Sequence, residues 1–127
     1  MDSDTDLPLD PPARRAVWEL PRITGLRTVR RRYRTPRRHV VGGEVVAFDE
    51  GVEIVIETDG DFPMRALSPA LHVGSVELAE NERVDEREHS FFVLDEQALR
   101  PGDPITLGWV GHPGTDAEPE FRYEPPP

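Results

Sequence analysis

Short runs of the chain alternate apolar and polar residues at every second position, and turn residues break the runs apart. Gly51 to Thr58 (GVEIVIET) is the clearest. Val52, Ile54 and Ile56 share one face, while Glu53 and Glu57 occupy the other. Its β-branched apolar residues suit a half-buried strand, and Asp59-Gly60-Asp61 ends it with turn chemistry. By the same logic Ala16 to Leu20 is a strand stopped by Pro21, and Ile23 to Tyr33 is one strand or two joined near Gly25. Glu44 to Phe48 follows Gly42-Gly43, and Asp49-Glu50-Gly51 is expected to turn that strand into the next as a hairpin. Leu71 and Val73 share a face from which Val76 and Leu78 are out of phase, so Gly74-Ser75 predicts a bulge or tight turn. Ser90 to Leu94 (SFFVL) is apolar on both faces, which predicts a central strand. Ile105, Leu107 and Trp109 alternate in the last one, with Trp109 expected in the core.

Only Asp95 to Arg100 carries helix signals: an N-cap candidate, an acidic first turn and an Arg near its end, stopped by Pro101-Gly102. Seven or eight short strands with almost no helix predict an all-β fold, an antiparallel sandwich or small barrel. That domain is expected over 14–111. The flanks, 1–13 and 112–127, hold eight of the fourteen Pro, are acidic and nearly lack aliphatics, so they read as disordered tails.

The runs EIVIETDGDFP, LHVGSVEL and SFFVLDEQALRPGDPITLGW follow each other in an order that resembles immunoglobulin-like domains of the IPT/TIG type. The resemblance covers about 44–110 and lies in turn chemistry, although this chain puts Asp59 where the family usually places Gly. It implies a single antiparallel immunoglobulin-like β-sandwich that binds or spaces rather than catalyses.

Length and composition agree with one modest domain. The chain has 127 residues with 36% hydrophobic residues, no Cys and a net charge of −10. Without Cys there is no disulfide framework, thiolate metal site or thiol nucleophile. No apolar run approaches the roughly 20 residues of a membrane helix, and no signal-peptide pattern opens the chain, so a cytoplasmic location without membrane contact is expected. All fifteen basic residues are Arg, which points to GC-rich coding or to an acidic, high-salt-adapted surface.

The charges are segregated. Residues 1–10 carry four Asp and no base; residues 11–40 carry ten Arg against Glu19 alone; residues 41–127 carry five Arg against twenty carboxylates.

Catalytic patterns are missing from the sequence. There is no phosphate-cradling glycine loop, no His-Glu-x-x-His and no Gly-x-Ser-x-Gly, and neighbouring His89 and Ser90 point to opposite strand faces. His39, His72, His89 and His112 share no ligand-like spacing and read as surface or rim residues, with His72 outward. The expectation is therefore a non-enzyme without cofactor or metal.

The feature with functional content is the ribbon 27–38. It contains Arg27, Arg30, Arg31, Arg32, Arg34, Arg37 and Arg38 around Tyr33. The guanidinium fork suits carboxylate or phosphate, and Tyr33 is placed to stack a base. The ribbon is expected to meet carboxylates, in its own chain, another copy or another protein. Nucleic acid is the alternative, disfavoured by a pI near 4.8.

Overall fold

The alternating runs assemble into two antiparallel sheets. The computed structural model describes residues 20–60, 69–112 and 120–127. Its strands are β1 (Ile23–Val41), β2 (Glu44–Thr58), β3 (Pro69–Val73), β4 (Val76–Leu78), β5 (Asn81–Asp85), β6 (Glu88–Val93), β7 (Pro104–Trp109) and β8 (Phe121–Arg122). One sheet has the order β1-β2-β6-β5 and the other β4-β3-β7-β8. In immunoglobulin lettering these are A-B-E-D and C′-C-F-G, so the fold is an all-β sandwich with immunoglobulin-type strand order.

The core lies between the sheets. Val52, Ile54, Ile56, Phe91 and Val93 from the first sheet meet Leu71, Val73, Leu78, Ile105 and Tyr123 from the second. The face predicted for β2 thus lines the core, but Glu53 and Val55 on the other face are buried too, so the strand is covered on both sides rather than half-buried. Ser90–Val93 lies in a central strand, as its two apolar faces require, between β2 and β5. Gly74-Ser75 is the two-residue turn of a hairpin whose register pairs Val73 with Val76, so both apolar pairs reach the same face. Asp95 caps a single 3₁₀ turn, Glu96–Ala98, by accepting from the Gln97 amide at 3.1 Å. Trp109 is buried, and Trp109→Ala is expected to lower stability by on the order of 3 kcal/mol in urea unfolding.

Several expectations are corrected. Asp49-Glu50-Gly51 is not a hairpin turn: β2 runs through it unbroken for 15 residues. The hairpin turn is Gly42-Gly43, where φ is 61° and 86°, a conformation glycine adopts without steric cost. Gly51 serves space instead. A Cβ there would lie 2.5 Å from the Phe92 ring, so the position excludes any side chain. The first two strands are long rather than short, at 19 and 15 residues.

The C-terminal segment is also corrected over 120–127. Phe121–Arg122 pairs with β7, and Tyr123 is 1% exposed in the core, its amide donating to the Asp103 carbonyl at 2.8 Å. Two aromatics supplied the apolar area that the surrounding Pro and Glu lack. β5 was not foreseen, because its five residues are all exposed and show no apolar alternation. The strand expected at Ala16–Leu20, the tail 1–13 and residues 113–119 lie outside the described residues, apart from Leu20, which is not in a strand.

Candidate functional site

The arginine ribbon occupies β1 and bends in the middle. Its pairing with β2 runs to Arg32↔Glu50 and resumes at Arg37↔Phe48, which leaves Tyr33 to Pro36 opposite Asp49 alone. Pro36 has no N–H for the ladder, so the irregularity falls where the sequence cannot maintain regular pairing. β6 pairs with β2 only over Val52–Glu57, so the far end of the hairpin has no third strand beside it. It lies over the outer face of the first sheet. We call residues 37–48 the arm.

Aromatic contacts hold the arm down. The His39 ring stacks on Phe92 at 4.1 Å between centroids, and Phe48 meets Phe92 edge-on at 5.1 Å. Tyr33 adds a tilted contact to Phe92 at 6.3 Å, and the Arg37 guanidinium lies 5.5 Å from the Tyr33 ring centre. His39 Nδ1 is 3.0 Å from Glu80 Oε1, and Arg37 donates to Glu82 at 3.4 Å, so the arm reaches the opposite edge of its own sheet.

Beneath this layer sits Glu53, 4% exposed. Its carboxylate accepts from Ser90 Oγ at 2.6 Å, Tyr33 OH at 2.5 Å and Arg31 Nε at 3.0 Å, with Arg37 Nη1 at 3.9 Å. Burial pushes its pKa up, but the Ser90 and Tyr33 hydrogen bonds and the Arg31 charge outweigh it, and the pKa falls below the usual carboxylate value. Burial, followed by the hydrogen bond to an anion, pushes the Tyr33 phenol well up. Glu53 is therefore an ionised acceptor that ties strand, ribbon and arm together.

The eight ribbon residues divide into two groups. Arg27 pairs with Glu88 at 2.9 Å, Arg30 with Glu96 at 2.8 Å, Arg31 with Glu53, and Arg37 with Glu82 and Glu53. Tyr33 is engaged by Glu53 and Phe92 rather than presented to a base. Arg32, Arg34 and Arg38 are exposed, and among the described residues none of the three forms an ion pair.

Sequence reasoning missed Glu53, Ser90, His39 and Phe92 as partners of the ribbon. One signal was available. A strand apolar on both faces needs cover on both, and Phe92 points away from the core occupied by Phe91.

The histidines are corrected too. His39, His72 and His89 are buried; His72 does lie opposite Leu71 and Val73, but it is covered there, with Nε2 3.1 Å from the Trp109 carbonyl oxygen. Among the described residues no group of three His, Asp or Glu side chains is placed to hold a metal ion. His89 faces the interior and Ser90 the outer layer, as their alternation requires.

Burial, then the Arg83 charge, lowers the His89 pKa from 6.5, with Asp85 opposing. On acidification the unfolded chain therefore takes up this proton first. The contribution is complete above about pH 6.5 and falls as pH drops below it. Glu53 behaves likewise from its ordinary value of 4.5 downward. Urea midpoints measured between pH 8 and pH 3 are expected to fall in two phases, and Glu53→Gln should remove only the lower one.

The fold and this surface define an immunoglobulin-type β-sandwich that wears an arginine-bearing hairpin arm on one face. No protein-family model, curated protein or solved structure matches the chain.

Proposed function

We propose that the protein is a non-catalytic interaction module that presents Arg32, Arg34 and Arg38 to an acidic surface of a protein partner. The observation that carries this reading is the division of the ribbon. Four arginines are matched by the chain's own carboxylates, whereas these three are exposed and form no ion pair among the described residues. Exposed guanidiniums bind carboxylates bidentately, and Arg is enriched at interfaces. The resemblance to IPT/TIG-type domains over 44–110 supports a binding role as well.

The test compares the full chain with Arg32→Ser/Arg34→Ser/Arg38→Ser and with Arg27→Gln, whose guanidinium is already paired. Fluorescence anisotropy with a labelled Asp/Glu-rich peptide should show binding that weakens with salt, because exposed pairs are screened over about 10 Å at 0.1 M. The triple variant should lose it and Arg27→Gln should keep it. Labelled oligonucleotides serve as the second probe. Tighter binding to them, with a log–log salt slope of about −0.9 per phosphate neutralised, would replace this reading with nucleic-acid recognition.

A further inference from the structure

The arginine strand also carries an unpaired backbone edge. β1 stands at the end of its sheet and pairs only with β2. Residues of an antiparallel strand turn their N–H and C=O alternately to one side and the other. Thr58 N–H donates to the Arg87 carbonyl at 2.8 Å, so Thr58 faces β6 and, by alternation, Glu57, Val55 and Glu53 face β1. Their partners Gly25, Arg27 and Val29 therefore face β2, while Leu26, Thr28 and Arg30 turn their N–H and C=O outward. Among the described residues these three have no backbone hydrogen-bond partner on that side.

The space beside this edge is open. A cleft of about 380 Å³ is lined by Leu26 and Thr28 and, from the C-terminal segment, by Glu120, Phe121 and Glu124. Leu26 and Phe121 are half-buried and pack against the core, so they give the cleft an apolar floor. Further along the same edge the Arg30 side chain is 44% exposed beside Glu96. Arg32 is exposed and forms no ion pair among the described residues.

Outward N–H and C=O groups repeating every second residue, about 6.8 Å apart, match the backbone of another extended strand. The side chains set what that strand contains. Residues entering the cleft must be apolar, to cover Leu26 and Phe121 and to keep acid away from Glu120 and Glu124. Residues beside Arg30 and Arg32 must be acidic. The β1 strand of a second copy fails this, because it would set Arg against Arg. The opposite edge of the sheet, β5, carries Glu82 and Asp85 and suits no acidic strand.

We infer that the free edge of β1, from Leu26 to Arg32, takes up an extended segment of a partner protein as an added strand, apolar in the cleft and acidic beside the arginines. This rests on the acidic-partner reading and gives the partner its form.

The experiment uses the full chain and an extended peptide that alternates valine and serine in one half and is acidic in the other. Hydrogen exchange followed by NMR reads the edge directly. The amides of Leu26, Thr28 and Arg30 should exchange freely in the chain alone and at least tenfold more slowly with peptide. Those of Arg27 and Val29, which face β2, should be slow in both. In fluorescence anisotropy the same peptide N-methylated at alternate residues should bind at least tenfold more weakly, since several backbone hydrogen bonds are lost at equal charge. Thr28→Pro removes an outward N–H and no ladder bond, and should weaken binding. Arg83→Pro, its counterpart on the β5 edge, should leave binding unchanged. Circular dichroism checks that both keep a β spectrum, and the exchange measurement needs neither variant. Binding without alternate protection, or equal binding of the N-methylated peptide, would overturn strand addition and leave the acidic-partner reading standing. No binding of any acidic peptide would overturn both. Alternate protection that appears in the chain alone as its concentration rises would assign the edge to a second copy and overturn the inference as well.

Discussion

Deleting residues 120–127 is expected to destabilise the domain by at least about 5 kcal/mol, a large part of the 5–15 kcal/mol typical of a small domain. The deletion removes β8, which pairs Phe121 with Ile105 and Arg122 with Pro104. It also removes Tyr123, one of the largest fully buried side chains. Two backbone bonds go with it: Gly102 N–H to the Tyr123 carbonyl at 2.9 Å, and Tyr123 N–H to the Asp103 carbonyl at 2.8 Å. Tyr123→Ala alone should cost on the order of 4 kcal/mol. Urea unfolding of both variants checks this. An unchanged midpoint for the deletion would mean that the segment contributes nothing to the core.

Glu53→Ala is expected to cost about 3 kcal/mol, because the Ser90 and Tyr33 hydroxyls lose their buried acceptor while the half-exposed Arg31 turns to water. The side chains left behind are the Ser90 and Tyr33 hydroxyls and the Arg31 guanidinium, all of which donate to this carboxylate. Glu53→Gln should cost less, since the amide oxygen still accepts while the charge is lost. The same loss should loosen the arm, because Tyr33 and Arg37 link it to Glu53. Limited trypsin digestion reports this directly, as cleavage at Arg34, Arg37 and Arg38 should accelerate in the Ala variant. Destabilisation without faster cleavage there would separate Glu53 from the arm.

Several features could be read in the sequence because they depend on neighbours only a few residues apart. The β2 face of Val52, Ile54 and Ile56, the hairpin turn at Gly74-Ser75 and the Asp95 cap each follow from local periodicity or turn chemistry, and each appears in the structure. Gly51 shows where such reading ends. A glycine after Asp-Glu has the chemistry of a turn, but its actual role is to make room for the Phe92 ring, 41 positions away in the chain. The same holds for Glu53. Its alternation marked an outward polar residue, and nothing near it in sequence indicates that an arm would cover it.

The sequence by itself determined the all-β class, the core face of β2, the central position of Ser90–Val93 and the concentration of Arg on one strand. All of these rest on the period of two and on composition. Tertiary structure alone decided which arginines are neutralised by Glu53, Glu82, Glu88 and Glu96, and which three are not. It also decided that Phe121 and Tyr123 return to the sandwich. The physical reason is the same in each case. Charge pairing and aromatic burial depend on distances between segments far apart in the chain, and the bend at Tyr33–Pro36 adds those of the arm, Arg37 to Glu82 and His39 to Phe92.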